Sequence, residues 1–198
     1  MSDKFKLAII GHARHGKDTV CELLRDRWGF SFTSSSLFCA QKVVFPAYLD
    51  HASGKHTPEA EIVHRHLGLR DPVWLNAEEC FEDRGKFRAM WFDLILAYNN
   101  PDPATLARDI LTSYDVYAGI RSQREFFAAR NEGCFDFVVW VDRCKHLPKE
   151  PSSSMELEPW MADFIIDNNG SLDDLTREVD RLLLHRLGNQ PIVDLLDD

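Results

Sequence analysis

At 198 residues the chain suits one domain with a sizeable core. A net charge of −9 makes a non-specific nucleic-acid binder a poor fit while leaving room for a local basic cleft, and no apolar run nears the ~18 residues of a membrane span. Cys21, Cys39, Cys80, Cys134 and Cys144 are odd in number and scattered, which excludes a disulfide framework and points to a reducing compartment. Residues 1–4 (Met-Ser-Asp-Lys) are polar and lack the form of a signal peptide, so the expectation is a cytoplasmic protein with no membrane or nucleic-acid partner.

Residues 6–10 are a short apolar, β-branched run, read as the first strand. Gly11-His12-Ala13-Arg14-His15-Gly16-Lys17-Asp18-Thr19 follows, then a stretch with helical spacing of its apolar residues. Strand, glycine-bracketed loop and helix, with lysine after the second glycine, is a pattern that cradles phosphate. Backbone N–H groups point inward, the helix adds its positive end, and Lys17 adds a mobile charge. The competing reading is a glycine-rich turn with a solvated lysine. The pattern asks for Ser or Thr after the lysine; Asp18 stands there, with Thr19 one further on. Asp18 holding a metal through water and Thr19 rotating in both stay open.

The first helix reads as 19–27, ended by Gly29, and 30–33 alternates as a second strand. Ser34-Ser35-Ser36 offers an N-cap for a helix over 37–49, which Pro46 must kink or end. Residues 50–76 read as a loop holding His51, His56, His64, His66, Pro58 and Pro72. Their spacing does not support a metal site, and a polar substrate cover is the expectation. Asn76 caps one long aromatic-rich helix over about 78–98, whose apolar surface raises the expectation of a homodimer. Arg84, Lys86 and Arg88 form a basic cluster there: a solvated face, or, through Arg88, a contact to nucleotide phosphates. Residues 99–103 break the chain before a helix over 104–111.

A strand over 114–120 ends on Arg121, and Ser122 opens a helix carrying Arg124 and Glu125. Ligands of open parallel sheets sit at the carboxyl ends of the strands, so Arg121 either points into that crevice or is an ordinary surface residue of the turn. Residues 134–141 read as a strand buried on both faces. The Pro/Ser-rich stretch after it, 142–157, reads as a lid carrying Arg143 and Lys145 or Lys149, or as a loop without function. A fifth strand over 162–168 precedes Ser171, the cap of an amphipathic helix over 172–187, and an acidic tail over 188–198. No repeat or domain boundary is evident. The expectation is a single domain with a cover insertion over about 50–110 and the lid, built as a three-layer α/β/α fold on a five-stranded parallel sheet.

Three blocks resemble the bacteriophage deoxynucleoside monophosphate kinases. They are Gly-x4-Gly-Lys-Asp-Thr over 11–19, the strand ending in Arg121 with Glu125 four residues on, and Ala-Asp-Phe-Ile-Ile-Asp-Asn-Asn-Gly-Ser-Leu over 162–172. The last block also resembles dephospho-coenzyme A kinases and adenylate kinase-like enzymes. Most phosphate-loop proteins carry Ser or Thr where Asp18 stands, so Asp18 is the most telling residue. Residues 50–110 match nothing in the family.

The resemblance implies a phosphate-loop kinase fold and transfer of the γ-phosphoryl of ATP to a deoxynucleoside 5′-monophosphate, modified pyrimidines included, in deoxynucleotide biosynthesis in a host cytoplasm. It implies that Gly11, Ala13, Arg14, His15, Gly16, Lys17, Asp18 and Thr19 bind ATP, with Asp18 and Thr19 serving Mg²⁺. Lys17, Arg121 and Arg143 would be catalytic; Ser34, Arg88, Arg121 and Arg124 would hold the acceptor. The alternatives are another small-molecule kinase, such as a dephospho-coenzyme A kinase-like enzyme, and a non-kinase nucleotide-binding switch. The guanine-reading string Asn-Lys-x-Asp is absent. The third strand delivers Arg121 where a nucleotide hydrolase would place an acid, the best such acid being Asp142 after the fourth strand.

Overall fold

The structure, a computed structural model, describes residues 5–67 and 73–186. The polar start at 1–4, Pro72, Leu187 and the acidic tail lie outside the described residues. The strands are β1 (Leu7–Ile10), β2 (Phe32–Ser34), β3 (Val116–Ala118), β4 (Phe137–Asp142) and β5 (Phe164–Asp167). The helices are α1 (Lys17–Trp28), α2 (Ser35–Cys39), α3 (Phe45–Ala52), α4 (Pro58–Leu67), α5 (Ala77–Glu82), α6 (Arg88–Tyr98), α7 (Thr105–Ser113), α8 (Gln123–Asn131) and α9 (Leu172–Arg181).

All five strands are parallel, in the order β2-β3-β1-β4-β5. β1 is central and every one of its residues is fully buried, as a strand covered on both faces requires. Leu7 and Ile9 join Val116, Val139, Val141 and Ile166 on the face covered by Val20 and Leu24 of α1 and Leu175 and Val179 of α9. Tyr117 points to the opposite face, where its hydroxyl donates to Glu125 of α8 at 2.5 Å. α1 and α9 thus cover one face of the sheet and α8 lies on the other. The three-layer α/β/α fold is therefore as the sequence leads one to expect. Ser171 and Asp174 form a reciprocal capping box on α9, and Gly29 ends α1 with φ +68.

Two compact units are present, Met1–Ser34 with Ala107–Asp198, and Ser35–Leu106. The first holds the sheet. In the second, the helix expected over 37–49 runs on from α2 into α3 through a π turn, Ala40–Val44. The N–H of Phe45 reaches back five residues to the Ala40 carbonyl. The wide turn lets Pro46, which has no N–H to give, enter the first turn of α3 without ending the run.

Two expectations for this unit need correction. The loop expected over 50–76 contains a full helix, α4. Thr57 accepts the N–H of Ala60 at 3.1 Å and Pro58 takes the first position, a start signal that four nearby histidines obscure. The single helix expected over 78–98 is two helices, divided by a 3₁₀ turn at Asp83–Gly85. Asp83 accepts from both Trp74 (3.1 Å) and Lys86 (2.6 Å), which fixes the break. Arg84 lies over the Phe81 ring at 4.0 Å and Lys86 pairs with Asp83, so these two cations have local partners. Met90, Trp91 and Leu94 of α6 are buried, while Phe92 and Leu96 are exposed. No described helix is long and apolar enough to cross a membrane.

Burial pushes the Glu125 carboxyl up from its ordinary 4.5 to about 7, against the opposing hydrogen bond from Tyr117. The folded state then keeps a proton that the unfolded chain has released. Its contribution to stability is complete below about pH 4.5 and is lost as pH rises through about 7. Glu125→Gln is expected to flatten the pH dependence of the thermal midpoint across this window and to raise the midpoint at pH 8. A wild-type profile already flat from pH 4.5 to 7 would contradict this assignment.

Candidate functional site

The carboxyl ends of the strands gather most of the polar residues singled out above. β1 runs into the loop 11–16, β2 ends at Ser34, and Arg121 follows β3. Asp142 closes β4 and Arg143 follows it; Asn168 follows β5. This edge is where open parallel sheets bind ligands.

Two close approaches shape the loop. Gly11 has φ +138, and a Cβ on it would lie 2.6 Å from the Val141 carbonyl oxygen. Gly16 has φ +94, and its Cβ would lie 2.2 Å from the side-chain nitrogen of Asn168. Neither position admits a side chain. Asn168, itself buried, donates to the His15 carbonyl at 2.8 Å and so fixes the loop from the side of β5.

The two histidines of the loop act as struts. Nδ1 of His15 accepts the N–H of Arg143 at 3.1 Å, and Nδ1 of His12 accepts the N–H of Glu150 at 3.2 Å. Both rings are buried, and His12 packs edge-on against Trp140. Burial, helped by the neighbouring His15, lowers the His12 pKa and keeps its ring a neutral acceptor. Arg14 sits exposed at the loop apex with φ +62, a left-handed conformation that costs about 1–2 kcal/mol for a residue with a Cβ.

Lys17 opens α1, and Gly16 before it offers no side chain to cap the first amides of the helix. The Lys17 ammonium donates to the carbonyls of Gly11 (2.8 Å) and His12 (2.7 Å). Burial, with Arg121 as the next cause, lowers its pKa from 10.5 to about 8. Asp18 is exposed and Thr19 half-buried in the same first turn.

Glu150 is the member of the site that sequence reasoning missed. Its Oε2 accepts the N–H of Ala13 at 2.5 Å, and its Oε1 accepts from the Arg121 guanidinium at 2.8 Å. Burial opposes the charge on Glu150, but the hydrogen bonds from Arg121 and Ala13 prevail and hold its carboxyl below the usual range. Arg121 also donates to the Ser154 carbonyl at 3.0 Å and accepts the N–H of Glu156 through its own carbonyl. The stretch expected to act as a lid meets the loop through this acid and through the backbone N–H groups of Arg143 and Glu150. Only its position between Pro148 and Pro151, in a stretch otherwise basic at its start, marks Glu150 out in the sequence.

The other expected residues are more dispersed. Arg143 has its Nε buried without a hydrogen-bond partner among the described residues. Lys145 lies 3.6 Å from Asp167. Ser34 is half-buried at the end of β2, and Arg124 is exposed in the first turn of α8. Arg88 is exposed at the start of α6, in the second unit. A shallow cavity of about 350 Å³ is lined by Lys145, Asp167, Asn169, Gly170, Asp174 and Arg177. His15, Asp142 and Cys144 bring their ligand atoms within 4.8 Å of one another. Two of these groups are engaged in holding the loop after β4: His15 by the bond to Arg143, and Asp142 by accepting the N–H of Cys144 at 3.1 Å.

No protein-family model matches the chain, and no curated protein sequence matches it. Among solved structures, it is similar to an unliganded sugar kinase from Janibacter sp. HTCC2649, at 14% identity over 91% of this chain and 92% of that one, with a TM-score of 0.41. At that degree of superposition the likeness carries no argument about site or substrate.

The Asn168 contact gives a local test. Asn168→Ala removes the donor to His15 and leaves Gly16 beside an empty space, so amide exchange over 12–17 is expected to rise about tenfold, the equivalent of about 1.4 kcal/mol of lost local protection. Amides of β1 and β4 should keep their protection. Unchanged exchange in the loop would show that Asn168 does not hold it.

Proposed function

We propose that the protein is a phosphotransferase that moves the γ-phosphoryl group of ATP onto a deoxynucleoside 5′-monophosphate. The observation that carries this reading is the anionic side chain seated in the loop. A carboxylate lies against an inward backbone N–H and a guanidinium, with an ammonium close by. The chemistry that holds a carboxylate there also suits a phosphate oxygen. Gly11 and Gly16 let backbone come close, and the uncapped start of α1 adds its positive end.

Arg121 favours a kinase over a nucleotide hydrolase. It stands beyond β3, where a hydrolase would present an acid to the metal. In the proposed reaction an oxygen of the acceptor phosphate attacks the γ-phosphorus of ATP. The bond to the β–γ bridging oxygen breaks, and ADP leaves with that electron pair. No general base is needed, because the attacking phosphate is already ionised. The protein supplies position and positive charge. Lys17 faces the β- and γ-phosphates, and Arg121 and Arg143 face the acceptor phosphate and the charge of the transition state. Asp18 and Thr19 are the residues that would serve Mg²⁺, whose part is to neutralise the β- and γ-oxygens. Ser34 and Arg124 lie on the same sheet edge and are the further candidates for the acceptor.

The decisive measurement is ADP release over a panel of deoxynucleoside monophosphates, 5-substituted pyrimidines included. At least one should accelerate it, and Arg121→Ala should lower kcat/KM for that acceptor by about 2–4 kcal/mol of transition-state stabilisation. No acceleration by any member of the panel would reject the reading. A second expectation concerns pH. With the Lys17 pKa near 8 in the free protein, the ammonium is charged below that pH and neutral above it. ATP affinity should therefore fall as pH rises beyond about 8, by up to about tenfold per unit, and Lys17→Ala should abolish this dependence. A wild-type affinity constant from pH 7 to 10 would contradict it.

A further inference from the structure

We propose that Glu150 is a built-in phosphate substitute, which fills the loop at rest and must leave before any phosphate ligand can enter. The inference rests on reading 11–17 as a phosphate site and adds what governs access to it. Each oxygen of the carboxylate is engaged by a different group: Oε2 by the Ala13 N–H at 2.5 Å and Oε1 by Arg121 at 2.8 Å. The Glu150 backbone N–H is bound at the same time to Nδ1 of His12, inside the loop itself, at 3.2 Å. The residue is thus anchored at both ends. Pro148 and Pro151 on either side restrict the backbone that presents it.

Lys17 completes the picture. Its ammonium is turned to the carbonyls of Gly11 and His12, a closed arrangement for a side chain whose proposed role is to meet phosphates. A phosphate oxygen cannot take the Ala13 N–H while Glu150 holds it, and two anions in one small site repel strongly. Entry of a phosphate therefore expels the carboxylate. Because the same carboxylate pairs with Arg121, expulsion also removes that ion pair and leaves the guanidinium with its bond to the Ser154 carbonyl. The residue proposed to grip the acceptor thus loses its resident anion only once the donor side is filled. The resident anion lowers apparent affinity by the fraction of molecules in which the loop is open.

The test uses the full chain as wild type, Glu150→Gln and Glu150→Ala, titrated by calorimetry with sodium tripolyphosphate and with MgATP. Both variants are expected to bind each probe about tenfold or more tightly than the wild type, with the alanine variant at least equal to the glutamine one. In the wild type, saturating tripolyphosphate should increase amide exchange over 149–156. Equal or weaker binding by the variants, with the wild type still binding, overturns the role of Glu150 and leaves the phosphate loop standing. Failure of all three proteins to bind either probe overturns the loop reading, and this proposal with it. Should a variant fold poorly, the wild-type exchange experiment decides alone, since unchanged exchange over 149–156 at saturation refutes expulsion.

Discussion

The close packing of Gly16 against Asn168 is the constraint on which the rest of the site depends. The missing Cβ of Gly16 leaves the space that the carboxamide fills, at a distance no side chain could tolerate. The amide then bonds the His15 carbonyl and sets the loop against the end of β5. Gly11 does the same against β4 through the Val141 carbonyl. Between these two glycines, His12 and His15 are buried in the body of the protein. There they receive the backbone N–H groups of Arg143 and Glu150. The loop and the segment after β4 are therefore one hydrogen-bonded object.

Electrostatics within this object run against the charge of the whole chain. The protein carries −9, yet Lys17 and Arg121 lie close enough for the guanidinium to help burial lower the lysine pKa. Such a group of cations is unfavourable without an anion among them. Glu150 supplies one such anion, and its own lowered pKa is the counterpart of the arrangement. Asp18 adds a second negative charge near Lys17, so the positive charge here is balanced by side chains of the protein's own.

Much of the scaffold could be read from residues. The strand, glycine loop and helix at the amino terminus, the cap at Ser171 and the parallel sheet all follow from local signals, because period, glycine and capping residues act over a few positions. Where the reading failed, distant contacts or masking neighbours decided. The break at Asp83–Gly85 rests on Trp74, nine residues before Asp83, giving its N–H to that carboxylate. The start of α4 was legible in Thr57 and Pro58 but overshadowed by histidines. Glu150 and Ala13 are far apart in the chain, and no periodicity connects them. A long-range partner of that kind has no local signature, so the scaffold of the site was legible while its occupant was not.

The π turn between α2 and α3 has a geometric effect that its role beside Pro46 does not exhaust. A fifth residue in one turn advances the helix surface by about 100° relative to an uninterrupted α-helix. The two halves of the run therefore present different sides to their surroundings: α2 lies on α5, and α3 lies on α4. One stretch of chain thereby serves two packing partners with no loop between them. The phase of its apolar stripe thus helps distribute the core of this unit.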